Sequence, residues 1–227
     1  MRKLQRGFTL VEIAIVLVII GLLLGGILKG QEMITQAKIK NALADFSGIS
    51  AAYYGYQDRY RAIPGDDPNA DTRWSGAIKS STAGNGIVEG TYNNAGSGCP
   101  AVAVSATPET CLWWDDLRRA GFVSGSGASN PFNAFSGLIG VQTGDSAGGQ
   151  VLPAASGGGF AGLIVCSANI PDKVAIALDT QMDDGHIASG TVRGQLQSAP
   201  NPPVATTTQT PDYQETGTNT YLICKQI

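Results

Sequence analysis

The sequence predicts an α+β fold in which a long N-terminal helix packs on an antiparallel β-sheet. An apolar run begins at Phe8, and no proline interrupts the chain before Pro64. Residues 64–110 are then crowded with Gly, Asn, Ser, Asp and Pro, which predicts an irregular loop. Short β-like runs separated by Gly-rich or polar turns fill most of the remaining chain. The order of helix, loop, strands, helix and strands is typical of an α+β domain.

The predicted helix extends from Phe8 to Tyr60 and is about 80 Å long at about 1.5 Å per residue. Apolar residues in its second half recur at spacings of three and four, which is typical of an amphipathic helix. They are Ile39, Leu43, Phe46, Ile49, Tyr53, Tyr56 and Tyr60. We interpret the tyrosines as part of a core seam, with a ligand platform as the alternative. Pro64-Gly65 is expected to end the helix.

The segment Phe8–Leu28 has the length and composition of a membrane span. Its 21 residues cover roughly the 30 Å hydrocarbon thickness of a bilayer. A secretory signal would have a shorter apolar core followed by an A-x-A-like cleavage site, and none occurs near residue 28. We therefore expect a retained membrane helix.

Two further helices and five strands are predicted in the C-terminal part. The first helix begins at Thr110, interpreted as its N-cap. The second covers Pro171–Met182, with Asn169 near its start and Gly185 just past its end. The predicted strands are Gly137–Val141, Gln150–Leu152, Phe160–Ala168, His186–Arg193 and Thr220–Lys225.

Glu12 lies inside the apolar run, where an acidic residue is costly. Insertion of a central acidic residue costs about 2.5 kcal/mol or more, and less near the interface. No Lys or Arg lies within two helical turns towards the C-terminus. We therefore expect a partner for Glu12 in another subunit, a terminal amine or a substrate.

The residues Gly7-Phe8-Thr9-Leu10-Val11-Glu12 follow a short basic leader that contains Arg2, Lys3 and Arg6. This arrangement resembles the cleavage and methylation motif of type IV prepilins and type II secretion pseudopilins. The resemblance implies that a prepilin peptidase cuts between Gly7 and Phe8 and methylates the new Phe8 amine. It also implies that Glu12 neutralises the N-terminal amine of a neighbouring subunit during assembly.

Two other positions bear on the resemblance. Gly21 matches a glycine that is common in these proteins, whereas Lys29 stands where many members carry a helix-breaking proline. The organisation implied is a cleaved leader at 1–7, a transmembrane and filament-core helix at 8–28, an amphipathic continuation at 29–63 and a globular α+β domain at 64–227. Loss of the leader would leave 12 basic against 18 acidic side chains.

The resemblance implies a pilin-like fold and a structural subunit of a type IV pilus-like or type II secretion pseudopilus filament. The implied partners are other pilins or pseudopilins, the prepilin peptidase, an inner-membrane assembly platform and the lipid bilayer. The implied location is the bacterial inner membrane, in a single pass with the C-terminal domain outside the cytoplasm, and later a periplasmic or extracellular filament.

Four cysteines allow three pairings. Cys99 and Cys111 bracket a local loop, while Cys166 and Cys224 end two apolar, strand-like runs. We favour Cys99–Cys111 and Cys166–Cys224 in an exported domain, with four reduced thiols as the alternative.

Two alternative functions use other parts of the chain. The first is a minor tip pilin or adhesin, which would bind surfaces through loops at 64–110 and 199–219. The second is a membrane-tethered serine hydrolase, because Gly144-Asp-Ser-Ala-Gly148 fits G-x-S-x-G with Ser146 as nucleophile. His186 is the one histidine and would be the base, but we expect neither the strand before the motif nor the helix after it that form a nucleophile elbow.

Composition argues against other functional classes, and we predict neither an enzyme nor a cofactor. The formal net charge of −3 disfavours non-specific nucleic-acid binding, and a single histidine excludes multi-histidine metal centres. Asp67, Asn69 and Asp71 have the first three spacings of a calcium loop, but Thr72 and Ile78 occupy the positions that require Gly and an acid. A turn capped by Asx side chains is favoured there, and no metal is predicted.

Overall fold

The computed structural model describes residues 9–154 and 156–227. Its longest element is helix α1, Leu10–Tyr60, which confirms the long N-terminal helix. Phe8, the predicted first residue, lies outside the described residues. Chain contacts divide the molecule into two compact units, one ending at Lys38 and the other covering Ile39–Ile227.

In the second unit, α1 buries one face, as its apolar spacing predicts. The residues of α1 that are buried are Ile39, Ala42, Phe46, Ile49, Ala52, Tyr53 and Tyr56. The Tyr53 ring stacks on Trp113 with centroids 5.3 Å apart, and Tyr56 is fully buried. The tyrosines therefore belong to the core.

The helix ends at a turn that requires glycine. Arg61 adopts a left-handed conformation with φ of 54°, and Gly65 follows with φ of 79°. A Cβ atom at Gly65 would overlap the carbonyl oxygen of Glu109. The chain can therefore turn here and pack closely on the helix Glu109–Arg119 because residue 65 has no side chain.

The sheet has four antiparallel strands in the order β1-β2-β4-β3. These strands are β1, Ile139–Thr143; β2, Leu163–Pro171; β3, Val192–Leu196; and β4, Thr220–Gln226. The remaining helices are α2, Ala70–Arg73; α3, Glu109–Arg119; and α4, Asp172–Met182, and a 3-10 turn covers Asn94–Gly96. Together with α1, this sheet confirms the α+β class.

Both faces of the sheet are buried, because alternate residues of its central strands enter different clusters. Val165 and Ile223 face the cluster that contains residues of α1, α3 and α4. Ile164 and Leu222 face a second cluster that includes Tyr92 from the long loop and Phe160. The loops therefore form a layer of the domain.

The segment 64–110 is mostly irregular, as predicted, yet much of it is held in place. The Asp66 carboxylate accepts hydrogen bonds from the backbone N–H groups of Gly84, Asn85 and Gly86. The Tyr92 hydroxyl donates to the carbonyl oxygen of Pro202 over 2.7 Å. This last bond ties the segment to the loop at 199–219.

Several predicted boundaries are wrong. Gln150–Leu152 forms no strand, and Val151 makes a single bridge to Phe160. The strand predicted at His186–Arg193 begins instead at Val192. The reason is a turn capped by Asp183, whose carboxylate accepts the N–H groups of Thr191 and Val192.

The starts of the two shorter helices also differ from expectation. Helix α3 begins at Glu109, after Pro108 in an extended conformation, so Thr110 is not its N-cap. Asn169 lies within β2 with φ of 58°, beside an irregularity in pairing, and α4 follows Pro171. A left-handed residue takes up the strand irregularity, which sequence spacing does not reveal.

Two disulfides join Cys99 to Cys111 and Cys166 to Cys224, the favoured pairing. Cys166 and Cys224 are directly opposite each other on β2 and β4. Cys99–Cys111 links the long loop to α3. The first bond fastens a loop with few large apolar residues, and the second crosses the two central strands of the sheet.

Asp116 of α3 links that helix to the turn after α1. Its Oδ2 accepts the Gly65 N–H over 2.7 Å, while Oδ1 has no hydrogen-bond partner. Burial raises the pKa of Asp116 to about 7. The folded chain therefore binds a proton at pH values where the unfolded chain has released it.

We expect Asp116→Asn to stabilise the folded chain at pH 8, because the wild-type carboxylate is then charged and desolvated. In the wild type, the contribution of this group falls as pH rises from its ordinary pKa of 3.8 to about 7. Asparagine keeps an oxygen for Gly65 and should add about 1 kcal/mol or more to the free energy of unfolding at pH 8. Denaturant titrations of the full chain in detergent at pH 4 and 8 measure it.

Asp58→Asn is the matched control, because Asp58 is an exposed carboxylate on α1. This substitution should leave the pH dependence of the free energy of unfolding unchanged. A profile for Asp116→Asn that parallels the wild type would show that Asp116 does not titrate in the folded chain as described.

Candidate assembly site on the N-terminal helix

The predicted processing residues Gly7 and Phe8 lie outside the described residues, and description of this site begins at Thr9. Thr9 directly precedes the first helical residue, Leu10. Its hydroxyl oxygen accepts the backbone N–H of Glu12 over 3.3 Å. In return, Glu12 Oε2 accepts the Thr9 backbone N–H over 2.7 Å. This reciprocal pair is a capping box, in which two N–H groups at the start of α1 are satisfied.

The capping box also leaves part of the Glu12 carboxylate available. The Thr9 hydroxyl donates to the same Oε2 over 2.8 Å, so all the hydrogen bonds that this carboxylate accepts from the described residues go to one oxygen. Its position in the first turn places negative charge at the positive end of the helix dipole. Glu12 is thereby held at the helix start with Oε1 open to a cation from outside the described chain.

The side chains that follow form an apolar surface that no other described residue covers. Among the described residues, α1 is the one helix long and apolar enough to cross a bilayer, judged by length and composition. Large apolar side chains that are exposed on it include Leu10, Val11, Ile15, Leu17, Val18, Leu22, Leu23 and Leu28. An apolar surface this continuous requires lipid or other apolar helices around it.

Three glycines lie within this surface, and no described residue packs so closely on them that a side chain there would clash. A Cβ atom added at Gly21, Gly25 or Gly26 would meet nothing within 4 Å. Each glycine costs about 1 kcal/mol relative to alanine in a helix interior. Small residues let apolar helices approach closely, so a neighbouring helix is what would benefit from these positions.

The hydrolase candidate residues lie elsewhere, in the unit Ile39–Ile227. Strand β1 does end immediately before Gly144, so the expectation that no strand precedes the motif is wrong. No helix follows it among the described residues; Ser146 has φ of 81° in a turn capped by Asp145. His186 Nδ1 lies 2.7 Å from Asp212 Oδ2, beside a cavity whose lining includes Ser189 but not Ser146.

Both carboxylates with calcium-loop spacing have other partners. Asp67 accepts hydrogen bonds from the Tyr56 hydroxyl and from Arg73, and Asp71 lies 3.3 Å from the Lys79 ammonium. Asp67 also accepts the Asn69 backbone N–H, which is the expected Asx-capped turn.

An acidic cluster that the sequence analysis missed lies at the end of α4. Within the described residues, carboxylate oxygens of Asp179, Asp183 and Asp184 come within 4.8 Å of one another. Asp179 is buried and accepts the Tyr213 hydroxyl over 2.6 Å, and burial raises its pKa to about 6. Asp183 and Asp184 accept N–H groups of the following turn. The cluster thus holds a turn together, and its helical spacing is the signal that could have revealed it.

Comparison with protein families identifies a known motif in the segment that contains Glu12. Residues 2–28 match the family described as the prokaryotic N-terminal methylation motif. Comparisons with curated proteins and with solved structures gave no match. The motif and the apolar helix together suit anchoring in a membrane.

The capping box makes a prediction for Thr9. Thr9→Val removes the hydroxyl that accepts the Glu12 N–H and should cost the helix start about 1 kcal/mol, whereas Thr9→Ser should retain most of it. Hydrogen exchange of the full chain in micelles should show faster exchange at Glu12 in the valine variant. Equal protection in the valine and serine variants would contradict the capping box.

Proposed function

We propose that this chain, which carries the type IV pilin and pseudopilin signature at its N-terminus, is a structural subunit of a pilus-like or secretion-pseudopilus filament. The observation that carries the proposal is the coincidence of the methylation motif with an exposed apolar helix whose start is capped by a glutamate. Each feature serves assembly of many copies, and none of them needs a bound small molecule.

Processing would create the partner that Glu12 needs. Cleavage between Gly7 and Phe8 by a prepilin peptidase leaves a new amine at Phe8, and methylation of this amine keeps its positive charge. In a filament, the amine of one subunit would pair with the open carboxylate oxygen of Glu12 in a neighbour. Breaking a buried ion pair by removing one partner typically costs 3–5 kcal/mol, so the pair would strongly favour one axial register.

The apolar surface would support the same process without fixing the register. Lipid tails and apolar side chains solvate this surface about equally well, so its transfer from bilayer to filament has little hydrophobic driving force. Close helix packing at Gly21, Gly25 and Gly26 and the polar pair at Glu12 would therefore decide assembly. The single span would hold the unit Ile39–Ile227 outside the cytoplasm, where its two disulfides are stable.

A minor tip pilin or adhesin is the second candidate, because the loop closed by Cys99–Cys111 presents apolar side chains to solvent. Val102 is 74% exposed and Val104 is 57% exposed. The disulfide at the loop ends reduces the entropy that binding would cost. The abundance of the chain along purified filaments distinguishes a main subunit from one confined to a tip.

The processing step is tested by intact-mass and N-terminal analysis of the chain expressed with and without a prepilin peptidase. We expect peptidase-dependent loss of residues 1–7 and one added methyl group on Phe8. An N-terminus that remains at Met1 in the presence of an active peptidase, or cleavage near residue 28, would overturn the proposal.

The role of Glu12 is tested by Glu12→Ala in a co-assembly assay. Membrane insertion should be unchanged, while incorporation into filaments should fall about tenfold or more, since that corresponds to a loss of only about 1.4 kcal/mol. Glu32→Ala is the matched control, because Glu32 lies on the same helix and pairs with Lys29 at an exposed position. Normal incorporation of the Glu12 variant would contradict the assembly role.

A further inference from the structure

A groove lies beside α1 in the unit Ile39–Ile227. Its cavity of about 290 Å³ is lined on one side by Ala44, Asp45 and Gly48 of α1. Aromatic side chains of Trp114, Phe122 and Phe132 contribute the other walls, and Phe132 is 68% exposed. The groove therefore combines an apolar, aromatic lining with a carboxylate at its edge.

Two polar groups in this groove have unmet interactions. Asp45 is half-buried, and among the described residues its carboxylate has no hydrogen-bond or ion-pair partner. Its partial burial raises its pKa, because no cation compensates the lost hydration. The Trp114 Nε1–H also lacks an acceptor, but this residue is fully buried and a cation would not supply one. The Asp45 carboxylate therefore indicates an occupant that brings a positive charge.

The chemistry that fits is a lysine side chain, whose aliphatic stem packs on aromatic rings while its ammonium pairs with a carboxylate. Three lysines in the described chain form ion pairs: Lys29 with Glu32, Lys79 with Asp71 and Lys173 with Glu215. Lys225 is half-buried and Lys40 is exposed, and neither ammonium has a partner within the described residues; of these two lysines, the one on α1 is Lys40. It lies on the same helix as the groove, five residues before Asp45.

We propose that the groove at Asp45 receives Lys40 of a second copy of this chain, a contact that rests on the proposed filament. Lys40 and Asp45 are five residues apart, which is about 7.5 Å along a helix axis. In the sequence, Phe8 likewise precedes Glu12 by four residues. In both pairs the basic group of one copy would meet an acid that lies further along the sequence of the neighbouring copy, so both contacts require a displacement of the copies in the same direction.

The contact also has the symmetry that a fibre requires. Five residues rotate by about 140° around a helix, so Lys40 and Asp45 occupy different faces of α1. A contact between two different faces is heterologous, and repetition of such a contact gives an open helical filament when the rotation does not close. The groove would thus provide a second register contact outside the membrane-spanning part.

The direct test is zero-length carbodiimide cross-linking of native filaments, followed by peptide mass spectrometry. We expect an amide between Lys40 and Asp45 that is absent from dispersed, detergent-solubilised subunits. The Lys173–Glu215 ion pair, 3.0 Å apart, should cross-link in both samples and is an internal control. Filaments that give the control linkage but no Lys40–Asp45 linkage, or that link Asp45 to another lysine, would overturn the proposal.

Charge reversal provides the second test. Asp45→Lys and Lys40→Asp should each lower the filament fraction about fivefold or more, since like charges are brought together, and the double variant should recover most of it. Asp58→Lys and Arg59→Glu are controls at exposed positions on the same helix. Single variants that assemble normally, or a double variant that recovers nothing, would contradict the contact.

Failure of this inference differs from failure of the proposed function. If filament assembly requires Glu12 but is unchanged by both charge reversals, the subunit proposal stands and the Lys40 contact is wrong. A processed wild-type chain that forms no filaments with its assembly machinery would overturn both.

Discussion

The structure depends on a helix whose apolar surface its own chain covers only in part. From Ile39 to Tyr56, α1 buries one face in the core, and the sheet is assembled against this same cluster. Between Leu10 and Leu28 the apolar side chains are exposed on every side. Water disfavours such a surface strongly, so the first part of the helix requires lipid or other copies, whereas the second part folds with its own domain.

Carboxylates stabilise much of the irregular structure in the domain. Asp66 binds three consecutive N–H groups of the long loop, and Asp172 accepts those of Thr216 and Gly217. Asp212 likewise accepts the N–H of Ile187. Backbone N–H groups in loops need acceptors, because they lack the carbonyl partners that a helix or a neighbouring β-strand would provide. The acidic composition therefore serves loop structure, and clustered acids here do not by themselves indicate catalysis or metal binding.

The acids that lack partners are therefore the ones that point to contacts with other molecules. Glu12 uses one carboxylate oxygen to cap α1, and Asp45 faces a groove in which none of the residues that the structure describes supplies a cation. Glu12 lies in the apolar part of α1 and Asp45 lies in the domain. Each carboxylate could form an ion pair with a positive group of another molecule. Repeated polar contacts of this kind would serve a filament subunit, because apolar helices gain little hydrophobic driving force by leaving lipid for one another.

The sequence alone determined the features that depend on local patterns. The apolar run from Phe8, the three-four spacing after Ile39 and the break at Pro64-Gly65 define α1, and the Gly7-Phe8 motif with Glu12 identifies the signature, because length, periodicity and short motifs are encoded by neighbouring residues. Only the tertiary structure decided the order β1-β2-β4-β3, the Asp183 turn that delays β3 to Val192, and the isolation of Asp45. These features depend on residues distant in sequence: whether Asp45 has a partner is fixed by how Trp114, Phe122 and Phe132 pack around it, and spacing along the chain carries no information about that packing.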